Sequence, residues 1–185
     1  MKSLALSILF LLYPVIVFFG LQWLEPKIVG LILVTLALVR FRFTQHKIPL
    51  PFLNIISINV IVLLAFSVLS NSAFLLKLYP VLMNVSFLSI FTYSLFKGPA
   101  AITIIARLRE ELTEKAITYT EKVTWVWCGF FLINGTISLW TVYQSEELWL
   151  WYNGLVSYIL MGLLFAIEWL VRIRVKKNDS SNITS

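Results

Sequence analysis

LWLWYNGLVSYILMGLLFAIEWLV, residues 148–171, is followed at once by Arg172, Arg174, Lys176 and Lys177. One charged residue, Glu168, interrupts this 24-residue run. About 20 apolar residues in a helix match the roughly 30 Å of hydrocarbon in a bilayer. A basic cluster directly after such a run marks its cytoplasmic end. The stretch therefore predicts a transmembrane helix whose C-terminal end lies inside. Working outward, five further apolar stretches have a similar character, at roughly 3–23, 27–40, 52–72, 78–96 and 122–143.

Read as six spans, the chain sorts its positive charge. Lys2, then Arg40, Arg42 and Lys47, then Lys97, Arg107, Arg109, Lys115 and Lys122, then the closing four all fall on one side. Only Lys27 and Lys77 fall on the other, although the chain has 15 Lys and Arg residues. Positive loops stay cytoplasmic. The expectation is an all-α polytopic membrane bundle of about six helices, with both termini inside. Residues 1–175 form its single transmembrane domain, and 176–185 form a polar cytoplasmic tail.

Composition agrees. The 185 residues are 59% hydrophobic and 13% charged, against about 45–50% and about 25% in soluble domains. A soluble domain of this length cannot hide so much apolar surface, and a lipid-facing one need not. The net charge of +6 lies near span ends, which points to anionic headgroups and not to nucleic acid. The single cysteine, Cys128, excludes an internal disulfide and a cysteine-only metal cluster. Lys2 and the apolar run behind it imitate a secretory signal. The run continues through Phe18 and Phe19 to Trp23 without an Ala-x-Ala-like cleavage site, so it reads as a retained span.

Local signals refine the picture. The apolar core of the second span, Ile28 to Val39, is short enough that a tilted or re-entrant element is an alternative. Ser70-Asn71-Ser72 reads as an external turn. Pro80 opens the fourth span where its missing N–H is unneeded, and Tyr79 beside it reads as an interfacial anchor. Ile102, Ile105, Leu108 and Leu112 recur at helical spacing, with Arg107, Glu111 and Lys115 as i,i+4 charge pairs. They predict an amphipathic helix over about 100–117, on the inner leaflet or against the bundle floor. Thr124, Cys128, Gly135 and Ser138 make a small-residue stripe on span five. Gly154, Ser157, Met161, Leu164 and Glu168 make a matching one on span six. Such stripes let helices approach closely. The tight turn between the two spans predicts an antiparallel hairpin, with Trp140, Tyr143, Trp149, Trp151 and Tyr152 as an aromatic belt.

Few residues are suited to chemistry. Glu168 is the only acid well inside a span, and intramembrane acids are costly and functional by default. Arg172, four residues on, equally allows a local pair that merely orients the helix. Lys77 either snorkels to headgroups or binds an acidic lipid. Asn84, Asn134 and Asn153, with Asn54 and Asn59, either bond across helices or line a polar path. His46 and Cys128 are the lone histidine and thiol, set in a loop and inside a span, an awkward geometry for a nucleophile–base pair. No Gly-x-Ser-x-Gly, His-Glu-x-x-His or phosphate-cradling glycine loop is present. The sequence leans away from an enzyme, and no metal or cofactor is expected.

Several stretches resemble a known family. They are Lys77-Leu78-Tyr79-Pro80 through Asn84, Tyr119 through Phe131, Glu147-Leu148-Trp149 with Tyr152-Asn153-Gly154, and Leu160 through Arg172. The family comprises small proteobacterial inner-membrane proteins, often encoded among genes for aryl-polyene or fatty-acid-like acyl-chain synthesis. The resemblance covers about the last 110 residues, and the first 70 match in hydropathy alone. A second likeness, carried by hydropathy and the Tyr13-Pro14 opening, is to the septation protein A family of multi-span envelope proteins. The first resemblance implies an inner-membrane accessory role in making, anchoring or moving an acyl lipid in envelope biogenesis. In that reading Glu168, Arg172, Lys77, Asn84, Asn134 and Asn153 are the candidate lipid-binding residues. Arg107, Arg109 and Lys115 would dock acidic acyl-carrier proteins. The alternatives are a small transporter, a membrane-embedded acyltransferase and a structural envelope scaffold. Seven tryptophans and the small-residue faces are compatible with self-association.

Overall fold

The computed structural model describes the backbone of residues 13–44, 51–108 and 111–183, and side chains within 13–39, 58–108 and 111–175. The described chain is almost entirely helical, an all-α bundle with no strand among the described residues. Helix α1 is Tyr13–Trp23, α2 Pro26–Thr44, α3 Pro51–Ser70, α4 Ala73–Lys77 and α5 Tyr79–Lys97. Helix α6 is Ala101–Arg107, α7 Glu114–Val142, α8 Glu146–Trp151 and α9 Ser157–Ile183. A π-helical segment, Tyr152–Val156, joins α8 to α9. Tyr79–Lys97, Glu114–Val142 and Glu146–Val175 are long and apolar enough to cross a membrane. Tyr13–Trp23, Pro26–Val39 and Ile58–Ser70 are shorter apolar helices. Each apolar stretch of the sequence is thus helical over its described residues. The second is continuous over 19 residues.

The helices bond their own backbone, as any span must in hydrocarbon, so side chains decide how they pack. Helices α2 and α3 run side by side. At their crossing a Cβ on Gly30 would stand 2.8 Å from Val68. Helices α5 and α7 form the other close pair, where a Cβ on Gly135 would stand 2.9 Å from that of Asn84. The expected turn after α3 is present. Asn71 takes the left-handed conformation (φ 49°), which asparagine tolerates. The Ser72 N–H bonds back to the Ser67 carbonyl at 3.2 Å, closing the helix end. The Asn71 side chain also accepts the Lys27 N–H at 2.9 Å, tying this turn to the start of α2.

Two expectations are corrected. The segment read as one helix over 100–117 is helical over Ala101–Arg107 and again from Glu114. The Thr113 hydroxyl caps the new helix by accepting the Ala116 N–H at 3.3 Å, and threonine at such a cap stops helix extension backwards. Helix α6 folds onto α7. The Thr103 and Thr120 hydroxyls bond at 2.7 Å, and Thr124 Oγ1 accepts the Ile102 N–H at 3.3 Å. The second correction concerns Trp149 and Tyr79, read as interfacial aromatics. Both are buried. The Trp149 indole donates to the Lys77 carbonyl at 3.1 Å. Tyr79 stacks on Tyr13 at 3.9 Å, and the Tyr13 hydroxyl donates to the Leu76 carbonyl at 2.9 Å. A buried indole or phenol needs a polar partner, and the backbone near α4 supplies two. Trp140, Tyr143 and Trp151 are exposed, as a belt requires.

Helix α9 is packed unlike the rest. Only 6% of its membrane-length window is buried, against 44% for that of α7. It leaves the hairpin turn, tied there by the buried Trp149 and Asn153, and then packs loosely, with most of its large apolar side chains exposed.

Candidate functional site

The gap left by α9 is a cleft of about 600 Å³ bounded by α5, α6, α7 and α9. Its wall is aromatic. Phe87 and Phe91 project from one turn of α5, and Trp127 and Phe131 from one turn of α7. Phe131 stacks on Phe87 at 5.3 Å and meets Phe91 edge-on at 5.2 Å. From α9, Phe165 lies 4.5 Å from Trp127. Offset and edge-to-face pairs each stabilise the wall by about 0.5–1.5 kcal/mol beyond area burial. Ile102, Ile105 and Ala106 of α6 close one end.

On α9, Met161, Phe165, Glu168 and Arg172 line the cleft. Their spacing of four, three and four keeps them on one helix face. From Met161 to Arg172 the helix rises about 16 Å, roughly half of the 30 Å hydrocarbon thickness. The cleft is therefore one leaflet long, apolar at its inner part and charged at its outer lip. Glu168 and Arg172 are each half-buried there. The Tyr119 hydroxyl donates to the Glu168 carbonyl at 3.3 Å, so α7 and α9 touch at the charged end.

The other candidate residues gather elsewhere. Asn84, Asn134 and Tyr152 form a relay across α5, α7 and the π-helical segment. The Tyr152 hydroxyl donates to Asn134 Oδ1 at 2.9 Å, Asn134 Nδ2 to Asn84 Oδ1 at 3.0 Å, and Asn84 Nδ2 to the Pro80 carbonyl at 2.8 Å. Asn134 and Tyr152 also border a second, smaller cavity of about 380 Å³ behind α7, lined otherwise by apolar groups. Asn153 Nδ2 bonds Thr141 Oγ1 and the Trp149 carbonyl, both at 3.0 Å. Asn84 and Asn134 bond one another, Tyr152 and the backbone, the usual fate of amides between helices, whereas Asn153 Oδ1 is buried with no hydrogen-bond partner among the described residues. Lys77 is at the opposite end of the bundle, its ammonium 3.5 Å from Glu146. Of the six residues read as lipid-binding, Glu168 and Arg172 alone share the cleft. Arg107 and Lys115 are exposed at its end of the bundle, on α6 and the first turn of α7. Arg109 and His46 lie outside the described residues. Cys128 is buried against Thr92, whose hydroxyl approaches its sulfur at 3.7 Å. Among the described residues no three His, Cys, Asp or Glu side chains gather to hold a metal.

Sequence reasoning missed the aromatic wall. Its signal was the i,i+4 pairs Phe87–Phe91, Trp127–Phe131 and Met161–Phe165, each of which reads as ordinary lipid-facing bulk until the helices are placed together.

No family model matches the chain, and no solved structure matches it. It is similar to the curated "Inner membrane-spanning protein YciB" of Hydrogenovibrio crunogenus. The two are 28% identical over 169 residues, which covers 86% of this chain and 72% of that protein. This similarity supports the likeness to the septation protein A family. It offers no support for the likeness to proteins encoded beside aryl-polyene genes.

Proposed function

We propose that the protein is a multi-pass inner-membrane component that holds one acyl chain of a lipid in the cleft between α9 and α5–α7. In this way it supports synthesis or translocation of an acyl lipid. The observation that carries the reading is the cleft itself, one leaflet long, aromatic within and charged at the lip. An amphiphile with its chain toward the bilayer centre has that polarity. Pockets of about 300–1,000 Å³ suit ligands of this size, and stiff aromatic walls bind an alkyl chain with little ordering cost. The similarity to an inner membrane-spanning protein agrees with the location, and the distribution of Lys and Arg favours the cytoplasmic leaflet for the lip. Exposed Arg107 and Lys115 at the same end give acidic acyl-carrier proteins a docking face, which acts mainly on encounter rate.

The test is native mass spectrometry of protein purified in mild detergent, wild type beside Ile105→Trp, a change that fills the cleft from the end that α6 closes. Wild type is expected to carry one co-purifying lipid per chain, and the variant to lose it. Equal lipid occupancy in the two would remove the cleft from the reading. An in-frame deletion with an unchanged extracted-lipid profile would remove the pathway role.

A further inference from the structure

The amide relay between α5, α7 and the π-helical segment has a direction. Tyr152 donates to Asn134, Asn134 to Asn84, and Asn84 to the Pro80 carbonyl. Every member donates the same way, so a backbone acceptor closes the far end. The near end is the Tyr152 phenol oxygen. It donates, yet it accepts from no group among the described residues. A phenol oxygen does both, and a donor added at the head of such a chain strengthens the bonds behind it. Tyr152 and Asn134 border the smaller cavity of about 380 Å³ behind α7. We infer that this cavity is a second ligand site, separate from the acyl-chain cleft, and that it takes a neutral lipid carrying a hydroxyl on an otherwise apolar body.

Three features select that class. The first is depth. Asn134 lies nine residues before Tyr143, the C-cap of α7, and so about 14 Å along the helix. That is close to half of the roughly 30 Å of hydrocarbon. A charged headgroup is costly at that depth, and water is scarce there, so the donor arrives on an uncharged lipid. The second is the direction of the relay. Its open position is an acceptor, which an ester, ether or ketone oxygen cannot use and a hydroxyl can. The third is the lining. From Asn134 the cavity continues along Phe130 and Leu164 to Val126, about 12 Å of apolar wall that suits hydrocarbon and offers no further polar side chain. The wall is unfilled at Gly129, where a Cβ would meet nothing within 4 Å.

The experiment is a titration of the full-length protein in phospholipid nanodiscs, read by the side-chain methyl NMR signals of Ile133 and Ile137, which border the cavity. The probes are 1-decanol, 1-methoxydecane and decane. Each is compared at a known mole fraction in the bilayer, which removes differences in partitioning. The alcohol is expected to bind about fivefold tighter than its methyl ether, the factor of one uncharged hydrogen bond, and decane no tighter than the ether. Gly129→Leu, whose side chain enters the open space, should abolish the shifts for all three. Tyr152→Phe alone leaves the Asn134 oxygen to accept, so both acceptors are removed together in the double variant Asn134→Leu, Tyr152→Phe. There the alcohol should fall to the affinity of the ether. Equal or tighter binding of the ether in wild type overturns the hydroxyl class. No shift with any probe, or shifts that survive in Gly129→Leu, overturns the site. If the double variant does not fold, the wild-type comparison and Gly129→Leu decide alone.

Discussion

Gly135 illustrates how single residues set this bundle. Its missing Cβ is what allows α7 to lie against Asn84, and there the two amides meet. Gly135→Ala is therefore expected to destabilise the protein by about 1–3 kcal/mol through overpacking. Gly129→Ala and Gly162→Ala, which open onto space, should be neutral or slightly stabilising in a helix. Thermal unfolding in detergent separates these outcomes, and equal melting of all three variants would contradict the packing described. The relay gives a second expectation. A double-mutant cycle of Asn134→Ala and Tyr152→Phe should show a coupling of about 0.6 kcal/mol and no more than about 1.7, the range of hydrogen bonds between membrane helices. At this scale the sequence was partly legible. Glu168 drew notice because charge inside a span is costly, and it does line the cleft. The amides were equally visible, but which amide meets which depends on the rotation of three helices, and that is encoded in packing and not in any local signal.

Among the elements, spans were easier to read than joints. Hydropathy and length show through any arrangement of neighbours, so every apolar stretch is helical over its described residues. The break between α6 and α7 did not show, because apolar residues keep helical spacing through Leu108 and Leu112 across it. What decided it was a cap. Thr113→Ala should cost about 0.5–2 kcal/mol of local stability. Hydrogen exchange should rise across the first turn of α7, Glu114 to Ile117, and stay unchanged at Phe131. Exchange that stays slow at Glu114–Ile117 would mean that the Thr103–Thr120 bond and the packing of α6, and not the cap, hold this junction. The cleft escaped the sequence for a related reason. An aromatic on a lipid-facing helix and one on a cleft wall obey the same pattern, and they differ only in what stands opposite.

For the molecule as a whole, the contrast between α7 and α9 makes a spectroscopic expectation. Trp151 and Trp169 are exposed on the α8–α9 arm, whereas Trp149 is fully buried at its root. In vesicles of brominated lipid, variants retaining a single tryptophan should be quenched strongly at Trp151 or Trp169 and weakly at Trp149. Strong quenching at Trp149 would mean that α8 is not seated as described. The same contrast predicts how the gene tolerates drift. Positions on α9 that face outward, such as Leu163 and Ile167, are more than half exposed, so in a bilayer any greasy residue serves and the codons there can wander freely. On α7, Thr124, Ser138 and Thr141 are locked among neighbours, and each admits few shapes. A saturation library scored for survival should therefore show one helix governed by oiliness alone and the other by size.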